Sequence, residues 1–329
     1  MRLLVLSAED VHALLDPAEC AEAMRSALTA LQEGRAQQPL RTVLRPEGAA
    51  GLVALMPSYL ADSARAAYGL KAICVTPSNP AAGLDTHQGV VLLSSGETGE
   101  PLALLNASAV TEIRTAAVSV VATDLLAKKD ADVLAIIGAG VQARAHALAL
   151  IQWRAPAEIR IAGRDPDRAE RLAAPLRRLI RGPVRVCATA REAVAGASIV
   201  VTATSSAEPV LLGEWLEPGA HVNAVGACLP TIRELDAAAM AAGVLFADSR
   251  QSLLAESGDY VLAAADGVLG PDSVRAELGE VLTAARPGRE SADEITIFES
   301  LGLAVEDLAA AVCAYDRAVA TGGGNWVDF

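Results

Sequence analysis

The feature that most constrains this 329-residue chain is a strand that runs straight into a glycine turn. Asp132-Val133-Leu134-Ala135-Ile136-Ile137 reads as a buried strand. Gly138-Ala139-Gly140-Val141-Gln142-Ala143 follows at once, and Val141, Ala145, Leu148 and Ile151 continue at helical spacing. A lone G-x-G-x-x-A is weak, but strand, turn and helix in this order read as a seat for a dinucleotide. Gly138 permits the tight turn. Gly140 has no Cβ, so backbone amides can approach a pyrophosphate, and Ala143 allows close helix–strand packing. The helix start, at Val141 and Gln142, offers backbone N–H groups and a partial positive charge. The competing reading is a glycine turn in an α/β fold that holds no dinucleotide.

The next strand bears on which dinucleotide is bound. A binder of NAD usually carries Asp or Glu at that strand's tip, to accept from the ribose hydroxyls. Here Ile159-Arg160-Ile161-Ala162 ends in Gly163-Arg164-Asp165. Arg164 can pair with a 2′-phosphate, which favours NADP(H) and leaves NAD(H) open. It can also stack on adenine or stay solvated, with Asp165 capping the next helix. Thr204 closes a further strand, in Thr202-Ala203-Thr204-Ser205-Ser206, at the carboxyl edge where such sheets bind ligands. Its hydroxyl can reach a nicotinamide ribose or serve only a strand-to-loop transition.

From residue 131 onward apolar runs (133–137, 157–162, 184–188, 198–203, 221–226, 243–247) alternate with helical patterns such as 141–153 and 166–180. That alternation predicts a parallel, doubly wound sheet. Aromatics make up 3% of the chain, so its core must be Ala, Val, Leu and Ile, which suits buried parallel strands. The earlier part has another texture. Residues 7–34 read as helix, opened by Ser7 with Asp10 as a capping box. Short apolar runs between 40 and 105 read as strands and loops, with a hairpin turn at Glu97-Thr98-Gly99-Glu100. Residues 109–127 read as a long helix containing Arg114. From 273 the chain reads as helical again, ending in an apolar helix at 301–320 and a loose tail from Gly322-Gly323-Gly324.

Lys plus Arg number 27 against 40 Asp plus Glu, a net charge of −13. Nucleic acid and anionic membranes need a basic face, so neither is expected as a partner. The five cysteines (Cys20, Cys74, Cys187, Cys228, Cys313) are odd in number, scattered and without C-x-x-C spacing. Neither a disulfide framework nor a metal site is expected from them. Met1 to Ser7 is too short for a signal segment, and no uncharged run reaches membrane-spanning length. The expectation is a cytoplasmic enzyme.

Several stretches together resemble the ornithine cyclodeaminase/mu-crystallin family over nearly the full length. They are Met56-Pro57, Gly69-Leu70-Lys71, Leu102-Ala103-Leu104, Thr111-Glu112-Ile113-Arg114-Thr115-Ala116-Ala117 and the glycine turn. Pro218 to Gly226, Arg233-Glu234-Leu235-Asp236, Asp248-Ser249-Arg250 and Glu256-Ser257-Gly258-Asp259 follow. Glu277 to Val281 and Thr296 to Gly302 complete the series. The resemblance implies an α/β substrate-binding and dimerisation domain at 1–119, completed by 300–329. A Rossmann-type domain for NAD(P) at 120–299 would be inserted between, and the assembly would be a homodimer. The family spans cyclodeaminases, alanine dehydrogenase-like enzymes and reductases of cyclic ketimines.

The resemblance also implies a substrate site. Family members hold the substrate carboxylate with an early arginine, a strand lysine and the arginine of the R-T-A-A motif, which correspond here to Arg41, Lys71 and Arg114. A guanidinium fork suits a carboxylate. Arg45 competes with Arg41 for the early position. A lysine within an apolar strand needs a partner, and Arg114 in an Ala-rich helix is also explained by a buried structural ion pair. Thr115 would contact a cofactor phosphate or cap a turn, and Met56 and Cys228 would line the substrate pocket.

Cyclodeaminases carry an aspartate just ahead of a proline after the strand that ends Ala-Val-Gly. Here that segment is Gly226-Ala227-Cys228-Leu229-Pro230, with Cys228 in the aspartate's place. A neutral thiol cannot match a carboxylate in orienting an ammonium group. The expected reaction is therefore reduction of a small cyclic imine bearing a carboxylate, Δ1-pyrroline-2-carboxylate or Δ1-piperideine-2-carboxylate. Alternatives are ornithine cyclodeamination with bound NAD, dehydrogenation of alanine or N-alkyl amino acids, and an NADPH-binding protein without turnover. His87 and His221 lie among the matching regions and read as structural.

Overall fold

The computed structural model describes residues 2–61 and 66–328. They form two compact units, one from Met1–Arg114 with Gly302–Phe329 and the other from Thr115–Leu301. The second unit is thus an insertion in the sequence of the first.

The first unit holds a mixed sheet. Its strands run in the order Asn325–Asp328, Arg2–Leu6, Pro101–Asn106, His87–Ser95, Ala66–Val75, Leu52–Ala61 and Ala36–Gln37. Thr42–Leu44 also pairs with Leu52–Ala61. The three long central strands are antiparallel, and their alternation sorts two rows of residues. Met56, Lys71 and Val91 lie opposite one another and are buried, whereas the adjacent row of Leu55, Ala72 and Val90 turns Leu55 and Val90 outward. The helix Ala304–Thr321 packs on the buried row's side. A Cβ on Gly69 would lie 3.0 Å from the Leu308 side chain, so the glycine is what lets helix and sheet come this close.

Two expectations for this unit change, and one for the other. Residues 7–34 are two helices, Ala8–Leu14 and Pro17–Gln32. The Ser7–Asp10 capping box is formed, but Asp16 then caps the amides of Ala18 and Glu19 while Pro17 supplies no N–H, which restarts the helix. The tail is not loose: Asn325–Asp328 pairs antiparallel with Arg2–Leu6, and Arg2 lies over the Trp326 ring. Gly322 and Gly324, both at φ +74°, turn the chain back to the sheet. The region after 273 is corrected too, since Val274–Glu277 and Ile295–Glu299 are strands and only Leu278–Leu282 is helical before Ala304.

The second unit is an eight-stranded sheet in which every described pairing is parallel. The order is Val184–Val186, Glu158–Ala162, Val133–Ile137, Ile199–Thr202, His221–Ala224, Ile295–Glu299, Gly243–Ala247 and Val274–Glu277. Helices Val141–Trp153 and Pro166–Leu176 connect the first strands. This is a Rossmann-type doubly wound sheet, with its switch of direction beside Val133–Ile137. Ile295–Glu299 is easily missed in sequence because polar Thr296 and Glu299 interrupt it. Both are buried and paired, Thr296 Oγ1 with His221 Nδ1 (2.9 Å) and Glu299 Oε2 with the Ser257 hydroxyl (2.9 Å).

Candidate functional site

The glycine turn closes Val133–Ile137 and opens the helix Val141–Trp153. Gly138 has φ +128°, and a Cβ there would sit 2.4 Å from the Ala203 carbonyl oxygen, so only glycine fits. Gly140 is the N-cap. It makes no side-chain cap, and a Cβ on it would meet nothing within 4 Å. The first turn, at Val141 and Gln142, therefore keeps its N–H groups directed out of the helix, and the space over Gly140 is open. Ala143 is fully buried against the strand. These features fit a pyrophosphate. At the next strand tip Asp165 Oδ1 accepts from the amides of Asp167 (3.0 Å) and Arg168 (3.1 Å), so this acid is a helix cap, while Arg164 is exposed.

Farther along the carboxyl edge, the Thr204 amide donates to Glu234 Oε1 (2.6 Å) and the Gly226 amide to Glu234 Oε2 (2.7 Å). One buried carboxylate thus ties the ends of two neighbouring strands, and burial raises its pKa. Glu234 was not singled out from the sequence, where it reads as one more acid in Arg233-Glu234-Leu235-Asp236. The Thr204 hydroxyl accepts from the Ser206 amide (3.1 Å), Thr115 is buried in the helix Ala107–Leu126, and Cys228 is a half-buried free thiol in the segment after His221–Ala224. His221 is fully buried and its pKa is pushed down to about 3 by burial, as suits a structural histidine.

The first unit assembles the cations. Lys71 Nζ lies 2.7 Å from Asp307 Oδ2. Arg114 Nε donates to Asp307 Oδ1 (3.0 Å), and Nη1 meets Glu306 Oε2 (2.9 Å). All four side chains are buried. Arg41 Nη2 donates to the Gly302 carbonyl (3.1 Å), whereas Arg45 is exposed. Met56 faces Lys71 across the ladder. His87 starts the neighbouring strand, and its pKa is lowered by burial and by the charges of Lys71 and Arg114.

A single segment, Gly302 to Asp307, gathers these groups. Gly302 sits at φ +78°, where a Cβ would lie 2.6 Å from the Arg114 guanidinium nitrogens. Glu306, in the first helical turn, accepts from the Leu303 amide (3.1 Å) with the same oxygen that meets Arg114. The other oxygen, Oε1, is buried and has no described partner. Burial raises the Glu306 pKa, which favours its neutral form. Burial lowers Lys71 to about 8, against the opposing pull of Asp307. Three cationic side chains, Lys71, Arg114 and Arg41, thus face two carboxylates, Asp307 and Glu306, which leaves room for an anion. The sequence pointed to Lys71, Arg114 and Arg41 but not to Glu306 and Asp307. The signal was there in two adjacent acids at the start of an otherwise apolar helix.

The ornithine cyclodeaminase/mu-crystallin family matches residues 1–322. The chain belongs to that family. Within the family, the ketimine reductase mu-crystallin of Mus musculus is 41% identical over 284 residues, 86% of each chain. The Δ1-pyrroline-2-carboxylate reductase of Thermococcus litoralis, solved in complex with NADH and L-proline, is 36% identical. It superposes with a TM-score of 0.93 over 98% of this chain and 99% of that one. An archaeal alanine dehydrogenase dimer with bound NAD is 33% identical, with a TM-score of 0.94 over 100% of both chains. Among the described residues no helix is long and apolar enough to cross a membrane, and no group of three or more His, Cys, Asp or Glu is placed to hold a metal ion.

Proposed function

We propose that this protein is an NAD(P)H-dependent reductase of small cyclic ketimine carboxylates, forming proline or pipecolate from the five- or six-membered imine. The observation that carries the reading is the buried Lys71–Arg114 pair, whose ammonium has one described partner, Asp307, for three donors. A buried cation with unused donors beside a second cation suits an anionic ligand group. Relatives named for ketimine and pyrroline-2-carboxylate reduction, one holding NADH and L-proline, support the same substrate class.

In this reading Arg114, Lys71 and Arg41 hold the substrate carboxylate, and Met56, opposite Lys71 on the ladder, shapes the wall around the ring. When bound, the nicotinamide supplies the hydride that the imine carbon takes up. Lys71, an ammonium below about pH 8, gives a proton to the ring nitrogen, which becomes the secondary amine of the product. Holding the carboxylate in two forks aligns the imine, and positioning accounts for much of the rate. Because the protonated lysine is the working form, kcat/KM is expected to be flat below and to fall as pH rises through about 8. The thiol of Cys228 supplies no carboxylate to receive a substrate ammonium, which favours reduction over cyclodeamination.

The test compares NADPH and NADH oxidation with both imines against proline and ammonia release from L-ornithine without added reductant. Imine-dependent oxidation is expected. Robust ornithine turnover would instead establish the cyclodeaminase reading. NADP(H) is favoured and NAD(H) accepted, because Asp165 is occupied as a helix cap and Arg164 is left at the strand tip. A homodimer is inferred from the outward row of Leu55 and Val90, with Leu44 and Tyr68 also exposed, and from the dimeric relative. Light scattering checks it, with twice the monomer mass expected.

A further inference from the structure

The ion pairs under the substrate cations have a direction to them. Asp307 spreads its two oxygens between Lys71 Nζ (2.7 Å) and Arg114 Nε (3.0 Å), so one carboxylate fixes the spacing of the two cations. Asp307 is itself anchored: it is buried in the first turn of a helix whose start is tied by the Ser58 hydroxyl donating to the Ala304 carbonyl (3.0 Å) and the Val305 amide donating to Gln38 Oε1 (2.8 Å). We propose that Asp307 is a positioning residue, which keeps the Lys71 ammonium charged and aimed at the substrate beside Arg114. This rests on the proposed reduction of a carboxylate-bearing imine.

The groups that face Lys71 set the sign. Asp307 opposes burial and favours the charged ammonium. Arg114, from the helix Ala107–Leu126, and Arg41, from the loop before Thr42–Leu44, disfavour it. Glu306, on the helix of Asp307, favours it only when ionised, and His87, on the adjoining strand, adds no positive charge while its pKa stays lowered. Asp307 is therefore the main counterweight. Removing its charge leaves burial and two guanidinium groups to expel the proton from Lys71.

The experiment is the pH profile of kcat/KM in the wild type, Asp307→Asn, Asp307→Glu and Glu306→Gln. For Asp307→Asn the alkaline limb is expected to move down by about one to two pH units, the usual effect of losing an adjacent opposite charge. Glu306→Gln removes a carboxylate that meets Arg114 rather than Lys71, and is expected to move the limb less than Asp307→Asn does. Asp307→Glu keeps the charge but shifts it, so KM is expected to rise about tenfold or more while the limb stays. If Asp307→Asn does not fold, Asp307→Glu carries the test, and an unchanged KM overturns the proposal. A uniform loss at every pH in Asp307→Asn, with the limb unmoved, also overturns it. The pH dependence of pyrrole-2-carboxylate binding by calorimetry reads the same shift without turnover. The proposed reaction can therefore fail, with neither imine reduced by the wild type, while the role of Asp307 is still decided.

Discussion

The two units offer charge to the proposed ligands in opposite ways. The glycine turn of the second unit uses backbone: an uncapped helix start at Gly140, open space above it and no ionised side chain in the turn. The first unit uses side chains, burying Lys71 and Arg114 and bracing them on Asp307 and Glu306. Backbone dipoles cost nothing to keep in place, because the helix exists regardless of the ligand. Buried cations do carry a cost, and without their carboxylates they would shed protons or unfold the site. The difference teaches that a change at the open, ligand-facing Gly140 should act on binding alone, whereas a change among the cations should act on stability and chemistry together.

The largest effect is expected for Arg114→Ala. It leaves Glu306 and Asp307 buried with one cation between them, so the fold should lose about 3–5 kcal/mol. Urea denaturation checks this, and imine reduction should fall to near background. A stable, active Arg114→Ala would break the contrast between the two regions.

The two glycines of the turn sharpen it. Gly138→Ala forces a side chain against the Ala203 carbonyl at φ +128° and is expected to lower stability by about 1–3 kcal/mol or more. Gly140→Ala places its methyl in open space, so the melting temperature should barely move while dinucleotide affinity falls by about tenfold, or about 1.4 kcal/mol. Paired calorimetry and fluorescence titration separate the two. Equal loss of stability in both would mean the turn is structural only.

The smallest effect is expected at the strand tip. Arg164→Glu should leave the fold unchanged, since Arg164 is exposed, and lower the ratio of NADPH to NADH efficiency by about tenfold. An unchanged ratio would remove Arg164 from cofactor selection.

The same contrast explains what could be read from sequence. The glycine turn is contiguous, and each residue's duty follows from local geometry, so Gly138, Gly140 and Ala143 were legible at once. The helix around Arg114 was legible, and the central strands were legible as short apolar runs, which the structure extends to Leu52–Ala61, Ala66–Val75 and His87–Ser95. The cation site was only half legible, because its parts come from residue 41 to residue 307 and a buried ion pair depends on contacts no local window contains. Val305-Glu306-Asp307-Leu308 reads as an ordinary acidic helix start. Its acids point inward because Gly302 turns the chain across Arg114. Ile295–Glu299 was missed for a related reason: its polar residues Thr296 and Glu299 pair with His221 and Ser257, far away in sequence.

The central claim is that Arg114 and Lys71 hold the substrate's carboxylate while the imine is reduced. A double-mutant cycle tests it most directly. It compares kcat/KM for Δ1-pyrroline-2-carboxylate and for Δ1-pyrroline without the carboxylate, in the wild type and in Lys71→Met, a variant that keeps the strand's bulk. The account predicts that the carboxylate is worth at least about a hundredfold in the wild type, or about 2.7 kcal/mol, and that most of this advantage disappears in the variant. An advantage of the same size in both proteins would contradict it.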